Sequence, residues 1–177
     1  MWAIVKDNEI TETFSNLKGL VIDNIQYSRN ILSFRWSEAE RNAIGVYTIV
    51  HDNSNRKDDS FYTNTEVSYT FADGEVTASY GIATPKELSG LKTEKKRIIK
   101  NQASELLTNT DWYVIKATDV ESYSVPSAIT TYRTNTRTAS NDMEVLIDAC
   151  STVDELAALY VYTDDSRPLG EFPTLET

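Results

Sequence analysis

The spacing of apolar residues along the chain changes period near residue 88. Before that point, apolar and polar residues alternate in short runs, which is typical of strands with one buried face. Five segments are predicted to be strands on this basis or by their β-prone composition: residues 2–6, 10–14, 46–50, 67–71 and 76–80. Asp7-Asn8 and Asp73-Gly74 separate consecutive segments and favour the two-residue turns of β-hairpins. Ser37 and Glu40 have the spacing of a capping box, which predicts a short helix between the strands. Residues 1–88 are therefore predicted to form a β-rich module.

Beyond Pro85 and Gly90 the apolar residues recur at helical spacing, so we place the boundary between two modules at residues 85–91. The spacing predicts a hairpin of two helices over residues 91–108 and 127–150. This order of elements, strands first and helices afterwards, predicts the α+β class.

The remaining segments of this half are less regular. Residues 110–125 are predicted to be a long connection in which Trp112 and Tyr113 cover the helix pair. A third helix is predicted from Ser151 or Thr152 to Tyr162, which completes an α-helical module of residues 89–162. Pro168, Gly170 and Pro173 lie in the tail 163–177, which is predicted to be extended or disordered on its own and so flexible.

One helical stripe is the clearest pattern in the chain. Its apolar or small residues follow one another at spacings of 3, 4, 3, 4, 3 and 4: Ile129, Tyr132, Thr136, Ala139, Met143, Leu146 and Cys150. Such a heptad stripe must be buried, either against the first helix or against another copy of the chain. We therefore hypothesise that a partner binds at Ile129, Tyr132, Thr136, Ala139 and Met143, with Phe172 and Leu175 of the tail as further apolar anchors.

Composition narrows the classes of partner. The net charge is −10 and the pI is about 4.6, which argues against binding to nucleic acid or to an anionic membrane. No apolar run approaches the roughly 20 residues that span a bilayer, and the start of the chain does not have the pattern of a signal peptide. A single cysteine fits a reducing cytosol.

Charge is distributed unevenly in the helical half. The first helix is basic: Lys92, Lys95, Lys96, Arg97 and Lys100 lie within nine residues. Residues 138–177 contain one basic residue, Arg167, against nine acidic ones. These two regions are expected to be solvated faces or to attract each other, within one molecule or between two.

The sequence offers no set of residues for catalysis. His51 and Cys150 are the only histidine and cysteine, and Cys150 lies in the helical stripe, where a buried thiol is inert. The acidic run that begins at Asp52 lacks the glycine and glutamate of an EF-hand and is interpreted as a polar hairpin loop. We therefore expect no enzymatic activity, no cofactor and no metal.

Two stretches of the sequence together carry a resemblance to a known family. The first comprises residues 27–31 and Trp36-Ser37-Glu38-Ala39-Glu40-Arg41-Asn42-Ala43-Ile44-Gly45-Val46-Tyr47. It resembles an element of small proteins encoded among the tail and tail-fibre genes of tailed bacteriophages. The second comprises Lys100-Asn101-Gln102-Ala103, Leu106-Leu107, Thr110-Asp111-Trp112, Pro126 and Tyr132-Arg133-Thr134-Asn135-Thr136-Arg137, and is similar to a pattern of tail assembly chaperone-like proteins.

The resemblance covers about 45 residues and implies a non-enzymatic tail or tail-fibre protein. Such a protein is an assembly chaperone or a structural adaptor, its partner is a phage tail or tail-fibre protein, and it is found in the host cytoplasm during assembly or in the virion tail. Thr136 stands where the family often has leucine, and the tail lacks the usual Trp-Pro ending, which leaves chaperone and virion component both open. A different class is the alternative: a carbohydrate-binding or weakly hydrolytic module that uses Tyr62, Tyr69 and Tyr80 on a bacterial surface glycan.

Overall fold

The β-prone segments of the N-terminal half form a five-stranded sheet. In the computed structural model, which describes residues 1–33 and 35–175, the chain divides into two compact units, Met1–Thr84 and Pro85–Thr177. The strands of the first unit are β1 (Trp2–Lys6), β2 (Glu9–Phe14), β3 (Leu20–Ile22), β4 (Ile25–Tyr27), β5 (Val46–Asp52), β6 (Tyr62–Thr63), β7 (Val67–Ala72) and β8 (Glu75–Tyr80), and β9 (Thr84–Pro85) follows. The main sheet has the order β2-β1-β5-β8-β7, with β5 and β8 parallel and the other pairs antiparallel.

Two-residue turns with positive φ at both positions set the hairpins of this unit. Asp7-Asn8 and Asp73-Gly74 have this geometry, as predicted, and they connect β1 to β2 and β7 to β8. Asp23-Asn24 has the same geometry and connects β3 to β4, a hairpin that was not predicted. The loop after Asp52 was predicted to be a hairpin loop, and this prediction is wrong. The strand before the loop, β5, pairs with β8 in parallel, whereas the two strands of a hairpin are antiparallel.

Both faces of the sheet are covered by apolar side chains. On one face, Trp2 and Ile4 of β1 pack with Phe14 and Val46 and with residues of the segment that follows β2. On the other face, Ala3 packs with a second set of core residues: Val5, Ile10, Tyr47, Ile49, Val67, Tyr69, Phe71, Val76 and Ala78. The alternation along β1 therefore distributes its side chains between two cores.

The connection between β4 and β5 contains a short 3-10 helix, Arg29–Leu32, and helix α1, Glu38–Ala43. The predicted capping box is present: the Ser37 Oγ accepts a hydrogen bond from the Glu40 N–H at 3.3 Å, and the Ser37 N–H donates to Glu40 Oε2 at 2.7 Å. Trp36 precedes this cap and packs edge-on against Tyr27, 6.0 Å between ring centroids.

The second unit is helical, which confirms the mixed α+β class. Its helices are α2 (Leu88–Thr108), α3 (Asp111–Asp119), α4 (Ser127–Ala149) and α5 (Val153–Ala158). Helix α2 begins three residues before the predicted start, because the Glu87 carboxylate caps the Ser89 and Gly90 N–H groups at 2.8 and 2.5 Å. None of the helices in the described residues has both the length and the apolar character that a membrane crossing requires.

Three predictions for this unit need correction. Part of the predicted connection 110–125 is helix α3, and the third helix ends at Ala158 rather than Tyr162. The start of the tail is not extended: Asp164 and Asp165 form a tight turn with positive φ, and Leu169 is buried and donates its N–H to the Leu159 carbonyl. An apolar side chain at 169 and turn-forming residues at 164–165 explain this return of the chain. Glu176 and Thr177 lie outside the described residues.

Candidate partner-binding surface

Most residues of the predicted helical stripe are buried within the chain itself. Ile129, Tyr132, Thr136 and Met143 are buried, and Ala139 is half-buried. The predicted stripe holds in part along α4. Thr136, Met143 and Cys150 are buried at seven-residue spacing, but between them Ser140 and Ile147 are buried, whereas Leu146 is 38% exposed. At these two positions the buried residue is one place later than the heptad pattern predicts.

Helix α4 packs antiparallel against α2, and their charges pair within the molecule. Lys96 Nζ lies 2.8 Å from Asp148 Oδ1, and Lys100 Nζ lies 3.1 Å from Glu144 Oε2. The hydrogen bond and charge of Lys96 lower the pKa of the Asp148 carboxyl below its usual value. One partner of each pair is mostly exposed to solvent, so water screens the attraction and the pairs add little to stability. The basic region of α2 and the acidic residues of α4 thus meet across the hairpin within one molecule.

The tail residues proposed as anchors lie beside the same helices. Phe172, half-buried, borders a shallow groove with Gln102, Leu106 and Asn109 of α2. Leu175, 37% exposed, lies near the first turns of α4. Glu171 fixes this course: it accepts a hydrogen bond from the Tyr162 hydroxyl at 2.7 Å and pairs with Arg167 at 2.9 Å. Phe172 therefore packs within its own unit, whereas Leu175 keeps part of its surface free.

Helix α3 differs from α2 and α4 in that none of its residues is buried. Trp112 is 58% exposed and Ile115 is 59% exposed, and Val114 is also exposed. Trp112, Ile115 and Asp119 follow one another at i, i+3 and i+7, so they lie on one face of the helix. We refer to these three residues as the α3 ridge. The prediction that Trp112 covers the helix pair is not borne out, since most of its ring faces solvent.

A partly buried arginine fixes the start of α3. Arg133 of α4, whose side chain is 12% exposed, donates from Nη1 to the Leu107 carbonyl at 2.8 Å and to Thr110 Oγ1 at 2.6 Å. The same Nη1 lies 2.8 Å from Asp111 Oδ1. Thr110 itself is buried and donates to the Leu107 carbonyl. These bonds satisfy the Leu107 carbonyl near the end of α2 and connect α4 to the first residues of α3.

Lys116 of α3 contacts two aromatic rings. Its ammonium group lies 5.0 Å from the centroid of the Trp112 ring and 4.3 Å from that of the Tyr123 ring. Such cation–π contacts orient an indole ring that is otherwise free to change rotamer. The ridge is therefore an exposed surface of defined geometry, apolar at Trp112 and Ile115 and acidic at Asp119.

The first unit has an open groove of its own. It has a volume of about 730 Å³ and lies between β1 and the β3–β4 hairpin, with Ile4, Ile22 and Ile44 among its lining residues. The exposed side chains of Val21 and Ile25 stand at its rim. This hairpin was missed from the sequence, although Asp23-Asn24 between two short apolar runs was a usable signal.

The residues considered for catalysis, His51 and Cys150, belong to different units of the chain. His51 is exposed in the first unit, and Cys150 is buried in the second, where burial raises the pKa of its thiol. The Asp52 carboxylate accepts a hydrogen bond from the Ser54 N–H at 2.9 Å, as in an ordinary polar turn. Among residues 1–33 and 35–175, no group of three or more His, Cys, Asp or Glu side chains could hold a metal ion.

The tyrosines of the alternative glycan hypothesis are not arranged as a stacking surface. Tyr62 is only 4% exposed, so its ring face is not available to a sugar. Tyr69 packs in the second core of the sheet, and Tyr80 lies under the Arg56 guanidinium at 5.6 Å. No observation in the described residues favours the glycan hypothesis over a protein partner.

Comparison of the chain with protein-family models, with curated proteins and with solved structures finds no match.

Proposed function

We propose that this protein is a bacteriophage tail or tail-fibre protein that acts by protein–protein interaction. It works as an assembly chaperone or as a structural adaptor of the virion tail, without enzymatic activity. It acts in the host cytoplasm during assembly, and an adaptor would remain in the virion. Its partner is a phage tail or tail-fibre protein.

The observation that carries this proposal is the α3 ridge. A helix gains most of its stability in a protein by burying an apolar face, yet α3 leaves Trp112 and Ile115 in solvent. Exposed tryptophan and isoleucine on a fixed helix are typical of a protein-binding surface.

The resemblance to tail proteins adds support, because the residues that carry it include the start of α3. The Thr110-Asp111-Trp112 part of the pattern begins α3, and the Tyr132-Arg133 part lies 20 residues later on α4. In the structure these two parts are joined, because Arg133 binds Thr110 and Asp111. The residues of the pattern that make contact with each other are therefore those that position the ridge.

The test is the mass of the purified chain by light scattering, alone and mixed with the tail-fibre gene product encoded beside it. We expect a complex of defined stoichiometry. Mass spectrometry of purified virions then separates the two roles: absence from virions indicates a chaperone, and a fixed copy number indicates an adaptor. A chain that binds none of the tail and tail-fibre proteins of its phage contradicts the proposal.

A further inference from the structure

We infer that the α3 ridge docks a short, basic, amphipathic segment of the partner protein. This inference deepens the proposed function and rests on it. It commits to the chemistry of the partner segment, namely apolar anchors next to lysine or arginine, and to Trp112, Ile115 and Asp119 as the residues that receive it.

The size of the ridge argues for a segment rather than a second copy of the chain. The exposed fractions of Trp112 and Ile115 correspond to about 200–300 Å² of surface, taking ~150–250 Å² for each large side chain. A stable interface buries about 800 Å² on each partner. The ridge is thus about a third of the area that a stable dimer needs, but it suffices for two or three anchoring side chains of a peptide or helix.

The charge at one end of the ridge argues for a basic segment. Asp119 ends α3 and Glu121 follows it, and both side chains are exposed. The negative end of the helix dipole lies at the same place, so three sources of negative potential coincide. Lys116 offsets part of this potential, but its ammonium group is held over the Trp112 and Tyr123 rings. A lysine or arginine beside the apolar anchors would pair with the carboxylates.

The anchoring of α3 argues that the ridge is ready to bind without rearrangement. Arg133 fixes the helix at its first turn, and Lys116 orients the Trp112 ring. A surface that is ordered before binding loses less conformational entropy when the partner arrives.

The experiment uses overlapping 20-residue peptides that cover the tail and tail-fibre proteins encoded beside this chain. Binding of the full chain to each peptide is measured by fluorescence polarisation at low and at high salt. We expect the peptides that bind to carry a net positive charge and at least two apolar residues, and we expect their affinity to fall as salt rises.

Matched variants locate the binding site. Ile115→Asp places a charge in the ridge and should weaken binding at least about tenfold, which corresponds to about 1.4 kcal/mol. Val145→Asp is the control, because Val145 is a 67% exposed β-branched residue on α4 and should leave binding unchanged. Asp119→Lys should weaken binding at low salt, whereas Asp142→Lys, an exposed acidic position on α4, should not.

Several results would overturn the inference. These are binding by no peptide, selection of acidic peptides, equal loss in Ile115→Asp and Val145→Asp, or a dimer of the chain alone that Ile115→Asp dissociates. Failure of the inference can be told apart from failure of the proposed function. A complex with a full-length tail protein that survives Ile115→Asp leaves the function standing and removes the ridge from it. If basic peptides bind at the ridge but no full-length tail protein forms a complex, the inference about the ridge stands and the proposed function is contradicted.

Discussion

Two neighbouring residues of α4 provide a sensitive test of how the helical hairpin packs. Ile147 is completely buried, and Leu146, next to it in the sequence, is 38% exposed. The heptad pattern assigns the buried role to Leu146, whereas the structure assigns it to Ile147. Replacing either residue with alanine removes three carbon atoms, so the two substitutions differ in environment and hardly in chemistry.

The expected losses follow from burial. Ile147→Ala loses about 0.8 kcal/mol for each of three buried carbons, and the cavity adds to this, so we expect a loss of about 3 kcal/mol in the free energy of unfolding. Leu146→Ala opens a site that water can fill and loses only part of the transfer energy, so we expect about 1 kcal/mol. Alanine also favours the helix slightly in both variants, which does not change the order.

Urea denaturation followed by ellipticity at 222 nm measures both variants, because the long helices α2 and α4 dominate that signal. The midpoint should fall clearly further for Ile147→Ala, with slopes equal to that of the parent chain. Equal losses, or a larger loss for Leu146→Ala, would refute the assignment of the buried position to Ile147 and favour the position that the heptad pattern predicts.

Three further predictions concern the same unit. Thr136→Leu should cost about 1–3 kcal/mol by overpacking, since Thr136 is fully buried; an unchanged melting temperature would show that position 136 is not packed. Arg133→Ala should cost about 1.5–3 kcal/mol and speed amide hydrogen exchange in residues 111–119, whereas Arg137→Ala, an exposed arginine one turn later, should do neither. The N–H groups of Gly90 and Ser89 lower the pKa of Glu87 in the folded state, so its contribution to stability is complete above its usual pKa of 4.5 and is lost as pH falls through the lower folded value. Glu87→Gln should reduce this acid-side loss in urea denaturation at several pH values, and an identical pH profile for both chains would contradict the assignment.

Local signals in the sequence were sufficient for much of the first unit. Turn residues at Asp73-Gly74 and alternation on both sides of it depend only on neighbours, so the hairpin could be predicted. The capping box at Ser37 is local in the same way. The parallel pairing of β5 with β8 joins residues about 27 positions apart, so it could not be predicted from any local pattern.

Helix α3 could not be predicted from its own residues. Its apolar residues run consecutively from Trp112 to Ile115, so they show no helical period. No side chain caps its start, and its position depends on Arg133, which lies more than 20 residues away. The exposed ridge could not be foreseen for the same reason, because tryptophan is more often a core residue than a surface one.

The area of the ridge also bears on the choice between chaperone and adaptor. A contact of about 200–300 Å² that depends partly on charge would be weak and sensitive to salt, as suits a protein that binds its partner only transiently. A permanent component of the tail needs a larger interface, so it would require a second surface in addition to the ridge. The first unit contains such a surface, the open groove of about 730 Å³ with Val21 and Ile25 at its rim. Substitutions in the groove should therefore leave a chaperone complex intact but release an adaptor from the virion.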